Sequence, residues 1–546
     1  MFDAGRGTRV FLIIAGCLSC LCFFPPSFFT PRKSALALFL AAFASGVFFW
    51  REPEVIVDAS RYFTQAKHLE VYGCGFFIRE WGRAVQAWTD LPLVPFLYGL
   101  IFKVLGESRA YIQMFDTILF SMTVALASLI GRELWDEETG LAGGALLLGM
   151  PYLFSQVPLM LTDVPTMFFL TLSVFTFIRG MRYGGWNVAY AIGSLIAAIF
   201  SKYSTWPMLT VLPIIIMVHL KRVPALKATE PGERGEGAAD KNKVGRNASL
   251  RRGLAIIVAA VLISLGIVLY KYDVFAKQLE LLVQFQKPGL GKWGESFLST
   301  FFFQIHPFVT LLALFSFVVA LRKKDIRYVI ISWLVILLII FQVRRIRYTV
   351  PLLPMVSLMA AYGLQYIRDR EVRRFLVVCT VVSSLVVALF GYLFFLQKVS
   401  TVNLKAAGVY LNSIDIDEVE AVTLPQKDSD VNPAIAVPLL DLYTKKRLVN
   451  SPGYVAERLP GDEVYKSSLR FTWEYSSPPY YSSRKGLGGR RAVVIIAGGD
   501  EKNMSRDVQR IISGLCLLRA FEEYEGVFVF RTNVSVYGDC RLLDAG

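Results

Sequence analysis

The chain has 546 residues, 54% hydrophobic and 18% charged, with a mean hydropathy of +0.49, values that exclude a single water-soluble globule of this length. The balance is basic, 58 Lys and Arg against 43 Asp and Glu for a formal net charge of +15, but the cations lie in short runs between apolar stretches. That pattern argues against a nucleic-acid partner and matches the cationic loops that the positive-inside rule leaves on a polytopic α-helical membrane protein.

Eleven apolar stretches are long enough, or nearly so, to cross a hydrocarbon core of ~30 Å. They run over residues 35–50, 110–130, 140–158, 165–178, 186–200, 205–220, 253–270, 298–320, 328–342, 349–366 and 375–396. A twelfth, residues 10–29, is interrupted by Pro25 and Pro26 and reads equally as a span, a re-entrant segment or a signal anchor, so 11–12 transmembrane helices are expected. Alternating the crossings from a cytoplasmic start gathers Arg179 and Arg182, the 221–252 linker, the Arg322–Arg327 run and Arg368–Arg374 on the cytoplasmic side. The other side receives the first outer loop 51–109, the outer loop 272–297 and the tail. The chain therefore divides into a membrane domain, 1–397, and a soluble C-terminal α/β domain, 398–546.

Within the first outer loop, Ile56–Phe63 and the Pro-broken Leu91–Tyr98 read as interfacial helices. In the tail, strand patterns over residues 419–424, 492–496 and 527–530 alternate with helical ones over 402–414, 434–443 and 505–518. Cys74, Cys516 and Cys540 fall on the outer side, where a Cys516–Cys540 disulfide is permitted but not demanded by the spacing.

Ionisable groups at a membrane boundary are costly and mark candidate sites. Asp58 follows the first crossing and opens a helix, so it is either an N-cap or a carboxylate placed as a general base. Asp163, before Val164-Pro165, offers the same two readings. Asp90, just before Leu91-Pro92, is a third acidic candidate. Asp116, with Gln113 nearby inside an apolar stretch, reads as a buried interhelical hydrogen bond. Arg344, Arg345, Arg347 and Lys202 fall on the outer side, against the trend of the rest of the chain. They suit either an anionic lipid phosphate or snorkelling to head groups. His306 reads as a packing residue. Trp81, Trp88 and Trp293 are candidates for stacking on sugar or for interfacial anchoring.

The order of these features, Asp58 in an early outer loop, Thr89-Asp90-Leu91-Pro92, Leu161-Thr162-Asp163-Val164-Pro165, Ser201-Lys202-Tyr203 and Arg347-Tyr348-Thr349-Val350-Pro351, resembles the GT-C glycosyltransferases over residues 35–396. More narrowly it is similar to the branch holding the protein O-mannosyltransferases and the bacterial lipid A aminoarabinose transferase. The resemblance implies that Asp58 activates the acceptor, with Asp163 as the second acidic catalytic position. It implies that Lys202, Arg345, Arg347 and Tyr348 hold the donor's lipid phosphate. Asp90, Trp88 and Trp293 are assigned to the acceptor or sugar side. Many relatives carry Asp-Glu where this chain has Asp58-Ala59, which removes the usual place of a second carboxylate.

The expected function is an inverting transfer of a sugar from a polyprenyl-phosphate donor to a hydroxyl of a protein, lipid A or surface glycan, at the outer face of a plasma membrane. The donor needs no nucleotide pocket, in keeping with a sequence that shows no Gly-rich phosphate loop. No ligand cluster calls for a metal, and a requirement for a divalent ion is left open, with no other cofactor expected. The 272–297 loop reads either as a cover that closes over the donor and excludes water or, from its Gly content, as an idle flexible loop. The competing readings are a secondary transporter and a flippase-like protein that binds the same lipid-linked sugar without cleaving it.

Overall fold

The computed structural model describes residues 31–222, 236–286, 296–426, 429–450, 469–475, 477–482, 490–498, 506–523 and 530–542. The candidate crossing 10–29, all but the last residue of the strand expected over 527–530, and Trp293 lie outside the described residues. Five of the described helices are long and apolar enough to cross a membrane: Lys33–Arg51, Arg109–Leu134, Asp163–Tyr183, Gly245–Tyr270 and Arg370–Leu396.

Other expected crossings are shorter or broken, and proline explains most of the breaks. Stretch 140–158 divides into Glu137–Leu147 and Pro151–Gln156, because Pro151 has no N–H to continue the first helix. Stretch 298–320 divides into a π-helical segment, Ser299–Ile305, and the helix Pro307–Lys323, with His306 between them. The His306 ring accepts from the Phe308 N–H and contacts Ser383, the packing role its sequence context suggests. Before the helix Leu353–Leu364, Pro351 sits in a 3₁₀ turn that follows the one-turn helix Ile346–Thr349, and this turn brings Arg347 to the helix mouth. The 221–252 linker needs correction: the helix Glu236–Tyr270 already covers its second half, as the helix-favouring Ala, Lys, Arg and Glu there permit.

The first outer loop is three helices, Ile56–Tyr72, Cys74–Glu80 and Leu93–Leu105. Gly82, at φ +84°, lets the loop approach the helix Tyr272–Leu281, since a Cβ there would meet the Val274 side chain at 2.3 Å. Asp116 behaves as its sequence context implies, lying 2.9 Å from the Tyr98 hydroxyl on a neighbouring helix.

The last long apolar helix gives way to Thr401–Ser413 and then to a five-stranded sheet of order β2-β1-β3-β5-β4. Strands β1 (Glu418–Thr423), β2 (Arg447–Asn450) and β3 (Arg491–Ala497) are parallel. Strands β4 (Cys516–Phe521) and β5 (Asn533–Gly538) close the sheet antiparallel. β3 is apolar almost throughout, as a central strand covered on both faces must be. The helix expected over 505–518 stops at Ile512; Gly514, at φ +90°, ends it, and the following residues pair with β5 as β4. Cys516 and Cys540 form the disulfide.

This domain is fused to the first outer loop. Ile56, Ala59, Phe63 and Phe102 of the loop share one buried apolar core with Leu404, Val419, Leu440 and Val494. One neutral hydrogen bond and one ion pair reinforce the join. Arg109 Nε donates to Glu54 Oε1 at 2.7 Å, while the Glu54 N–H donates to the Tyr443 hydroxyl at 2.8 Å. Lys67 lies between Glu107, at 2.9 Å, and Asp441, which also accepts from the Tyr481 hydroxyl at 2.7 Å.

Candidate active site

Four distant parts of the chain meet where the first outer loop covers the ends of the long helices. Lys202 caps the C-terminal end of Trp186–Ser201, and Asp163 is the first residue of Asp163–Tyr183. Their contact is Lys202 Nζ to Asp163 Oδ1 at 2.5 Å. The other Asp163 oxygen accepts from Arg347 Nε at 2.7 Å, and the same guanidinium reaches Asp58. Asp58 Oδ1 then accepts from Arg61 at 3.1 Å, and Arg61 Nε lies 2.6 Å from Asp90 Oδ2. The result is an alternating series, Lys202, Asp163, Arg347, Asp58, Arg61, Asp90, in which three carboxylates balance three cations.

Neither Asp58 nor Asp163 caps a helix: the N-cap positions are Val55 and Thr162, and the two carboxylates are spent on cations instead. Asp163 is fully buried, whereas the Asp58 side chain keeps 22% of its surface accessible. Burial alone would raise the Asp58 carboxyl, but the charges of Arg347 and Arg61 outweigh it and hold the group well below the usual carboxylate range. Burial dominates at Asp90 and raises its carboxyl, despite Arg61 and a hydrogen bond from Gln65. Two carboxylates on one guanidinium are thus pushed in opposite directions, which separates their roles. Among the described residues no three His, Cys, Asp or Glu side chains gather as metal ligands.

Tyr348 stands between two cations, with Lys202 Nζ 5.4 Å and Arg345 Cζ 5.8 Å from its ring centre. The four residues assigned to a lipid phosphate are therefore neighbours, and Arg344 is turned towards Phe297. Trp88 packs on Phe285 and on Phe471 of the C-terminal domain. Trp81 does not stand ready for a sugar, because it is buried against Phe77.

Sequence reasoning missed Arg61, whose three-residue spacing from Asp58 on a helix was the available signal. It also missed Gln278, which donates to the Asp90 carbonyl at 2.7 Å and accepts from Tyr203 at 2.7 Å. Phe471, whose ring lies 4.7 Å from the Arg61 guanidinium carbon, was missed as well. No local pattern announces these two. Beside Arg61 lies a cavity of about 210 Å³, walled by the first outer loop, the helix Tyr272–Leu281 and the C-terminal domain.

This architecture, broken apolar helices beneath a helical outer loop and a C-terminal sheet, is that of the GT-C membrane glycosyltransferases. The crystal structure of ArnT from Cupriavidus metallidurans bound to undecaprenyl phosphate superposes with a TM-score of 0.54 at 11% identity, covering 92% of this chain and 97% of that one. Its apo state gives 0.51 at 11% identity, covering 93% and 98%. Residues 89–229 match the family model described as dolichyl-phosphate-mannose-protein mannosyltransferase, while a comparison with curated proteins finds no match. Fold and family match together support a multi-pass membrane glycosyltransferase.

Proposed function

We propose that this protein transfers a sugar from a polyprenyl-phosphate donor to a hydroxyl-bearing acceptor, a protein, a lipid A or a surface glycan, at the outer face of a plasma membrane. The carrying observation is the alternating ion series, which joins a cationic pair, Lys202 and Arg347, to a partly open carboxylate, Asp58. Undecaprenyl phosphate in the similar ArnT structure supports the choice of donor class.

In the reaction the acceptor oxygen forms a bond to the anomeric carbon as the bond from that carbon to the phosphate oxygen breaks. The acceptor proton passes to Asp58, and the electron pair of the broken bond leaves on the phosphate, giving inversion. Lys202 and Arg347, with Arg345 beside Tyr348, stabilise the charge that grows on the departing phosphate. The donor's own bond supplies the driving force, so no further cofactor enters the proposal.

Arg347 couples the two halves of this scheme. While it faces Asp58, that carboxylate is a weak base. A donor phosphate that draws the guanidinium away removes the largest charge holding Asp58 low and makes it a better proton acceptor. Donor binding would thus arm the base.

The test pairs wild type with Asp58→Asn, using radiolabelled polyprenyl-phosphate sugars and membrane extract as acceptor. Transfer should fall by about 10²- to 10⁴-fold in the variant with polyprenyl phosphate binding retained. Uncleaved donor crossing liposomes equally with both proteins would replace this reading with a flippase.

A further inference from the structure

The ion series leaves the adjoining cavity of about 210 Å³ unused. We infer that this cavity is the acceptor subsite and that it takes a sugar-like ring carrying an acidic group; the inference rests on the glycosyltransferase reading above.

Four observations support it. The first is an aromatic wall, since the Trp88 and Phe471 rings pack with centroids 5.7 Å apart and both line the cavity. Their faces suit the C–H face of a pyranose. Trp88 is held at φ +48°, a left-handed conformation that is unfavourable for a non-glycine residue and persists where surrounding structure enforces it.

The second is an unspent hydroxyl. Ser60 lines the cavity, is 1% exposed, and its Oγ has no hydrogen-bond partner among the described residues. Leaving such a group unpaired is costly, and a ring hydroxyl in the cavity would relieve it.

The third is the charge that remains once pairs are counted. Arg61 is spent on Asp58 and Asp90, Arg83 on Asp273 at 3.3 Å, and Glu474 on Arg470 at 2.6 Å. Lys277 lines the rim and makes no ion pair among the described residues. A cation on the rim of an otherwise balanced pocket selects a carboxylate or phosphate on the ligand.

The fourth is position. Arg61 forms part of the cavity wall and bonds Asp58 from its other side, so a ring seated here is one guanidinium away from the carboxylate. Because Phe471 and Tyr475 belong to the C-terminal domain, that domain takes part in choosing the acceptor.

The experiment measures equilibrium binding of methyl β-glucuronide and methyl β-glucoside to the detergent-solubilised full chain. Binding of the glucuronide should be about fivefold or more tighter than that of the glucoside, and Lys277→Gln, an exposed change, should bring the two to parity. Phe471→Ala should weaken both by about tenfold, and Ser60→Leu, which fills the cavity, should abolish both. Equal wild-type binding of the two glycosides overturns the acidic class, and binding insensitive to Phe471→Ala and Ser60→Leu overturns the subsite. Polyprenyl phosphate binding by wild type and Lys202→Ala scores the donor reading separately. Glucuronide binding without polyprenyl phosphate binding overturns the donor assignment alone; the reverse overturns the subsite alone.

Discussion

Two buried ionic networks, about equally improbable on desolvation grounds, serve different ends in this molecule. One runs from Lys202 to Asp90; the other, the docking network, is two neighbouring groups, Glu54 with Arg109 and Lys67 with Glu107 and Asp441, where the C-terminal domain meets the first outer loop. The docking network lies against the shared apolar core, with the rings of Tyr480 and Tyr481 beside Lys67 and that of Tyr443 beside Arg109. Burial raises Glu107 and Asp441, although the Glu107 side chain keeps 19% of its surface accessible. The mouth network also has a partly accessible carboxylate, Asp58, and differs in having a cavity beside one of its members, Arg61. A buried charge thus marks only a place where structure has been spent on electrostatics, whereas an opening beside it marks a place where a substrate can use them.

Breaking the mouth network at its centre should have the largest effect. Arg347→Ala leaves Asp163 to Lys202 and Asp58 to Arg61 and removes the cation that joins them, so transfer should drop by at least about 10²- to 10³-fold in an assay with saturating donor. Arg347→Lys should recover little, because an ammonium lacks the planar fork that bridges two carboxylates. Breaking the docking network should be read in stability instead. Arg109→Met strands Glu54, whose side chain is fully buried, and should cost about 3–5 kcal/mol in the unfolding of detergent-solubilised protein. Polyprenyl phosphate binding by the surviving folded fraction should be unchanged; a change there would mean the networks are not separable.

The smallest effect concerns Lys405, which lies beside the docking network. Burial, with the charge of Arg109 next in weight, brings its ammonium from 10.5 down to about 8. Between those values the unfolded chain holds a proton that the folded chain has released, so this group makes stability rise with pH from about 8 to 10.5 and adds no further slope below about 8. Denaturation midpoints of wild type and Lys405→Met, compared from pH 7 to 10, should differ by that slope. Parallel profiles would place the lysine in solvent.

Much of this contrast was legible in the sequence. Asp58, Asp163, Lys202 and Arg347 stood out because each is an ionisable group beside an apolar stretch, where burial demands a partner. Their pairing was not legible there, since Arg347 is 289 residues from Asp58 and no local pattern encodes that contact. Two strand patterns in the tail were readable from β-branched runs, while β4 was mistaken for helix because its leucines suit either state until β5 pairs with them. Trp81 and Trp88 looked alike, and packing alone sent the first into the core and the second to a cavity wall.

Composition and hydropathy by themselves determined that the chain lives in a membrane, where its apolar segments run and which charges cannot be casual, because those follow from transfer free energies of individual side chains. Tertiary structure alone decided which carboxylate stays accessible, that Arg61 joins the ion series to a cavity, and that the C-terminal domain supplies a wall of it. Those outcomes depend on the relative placement of segments far apart in the chain, fixed by packing of the shared core and by the electrostatic balance of the whole network, and no single segment carries either.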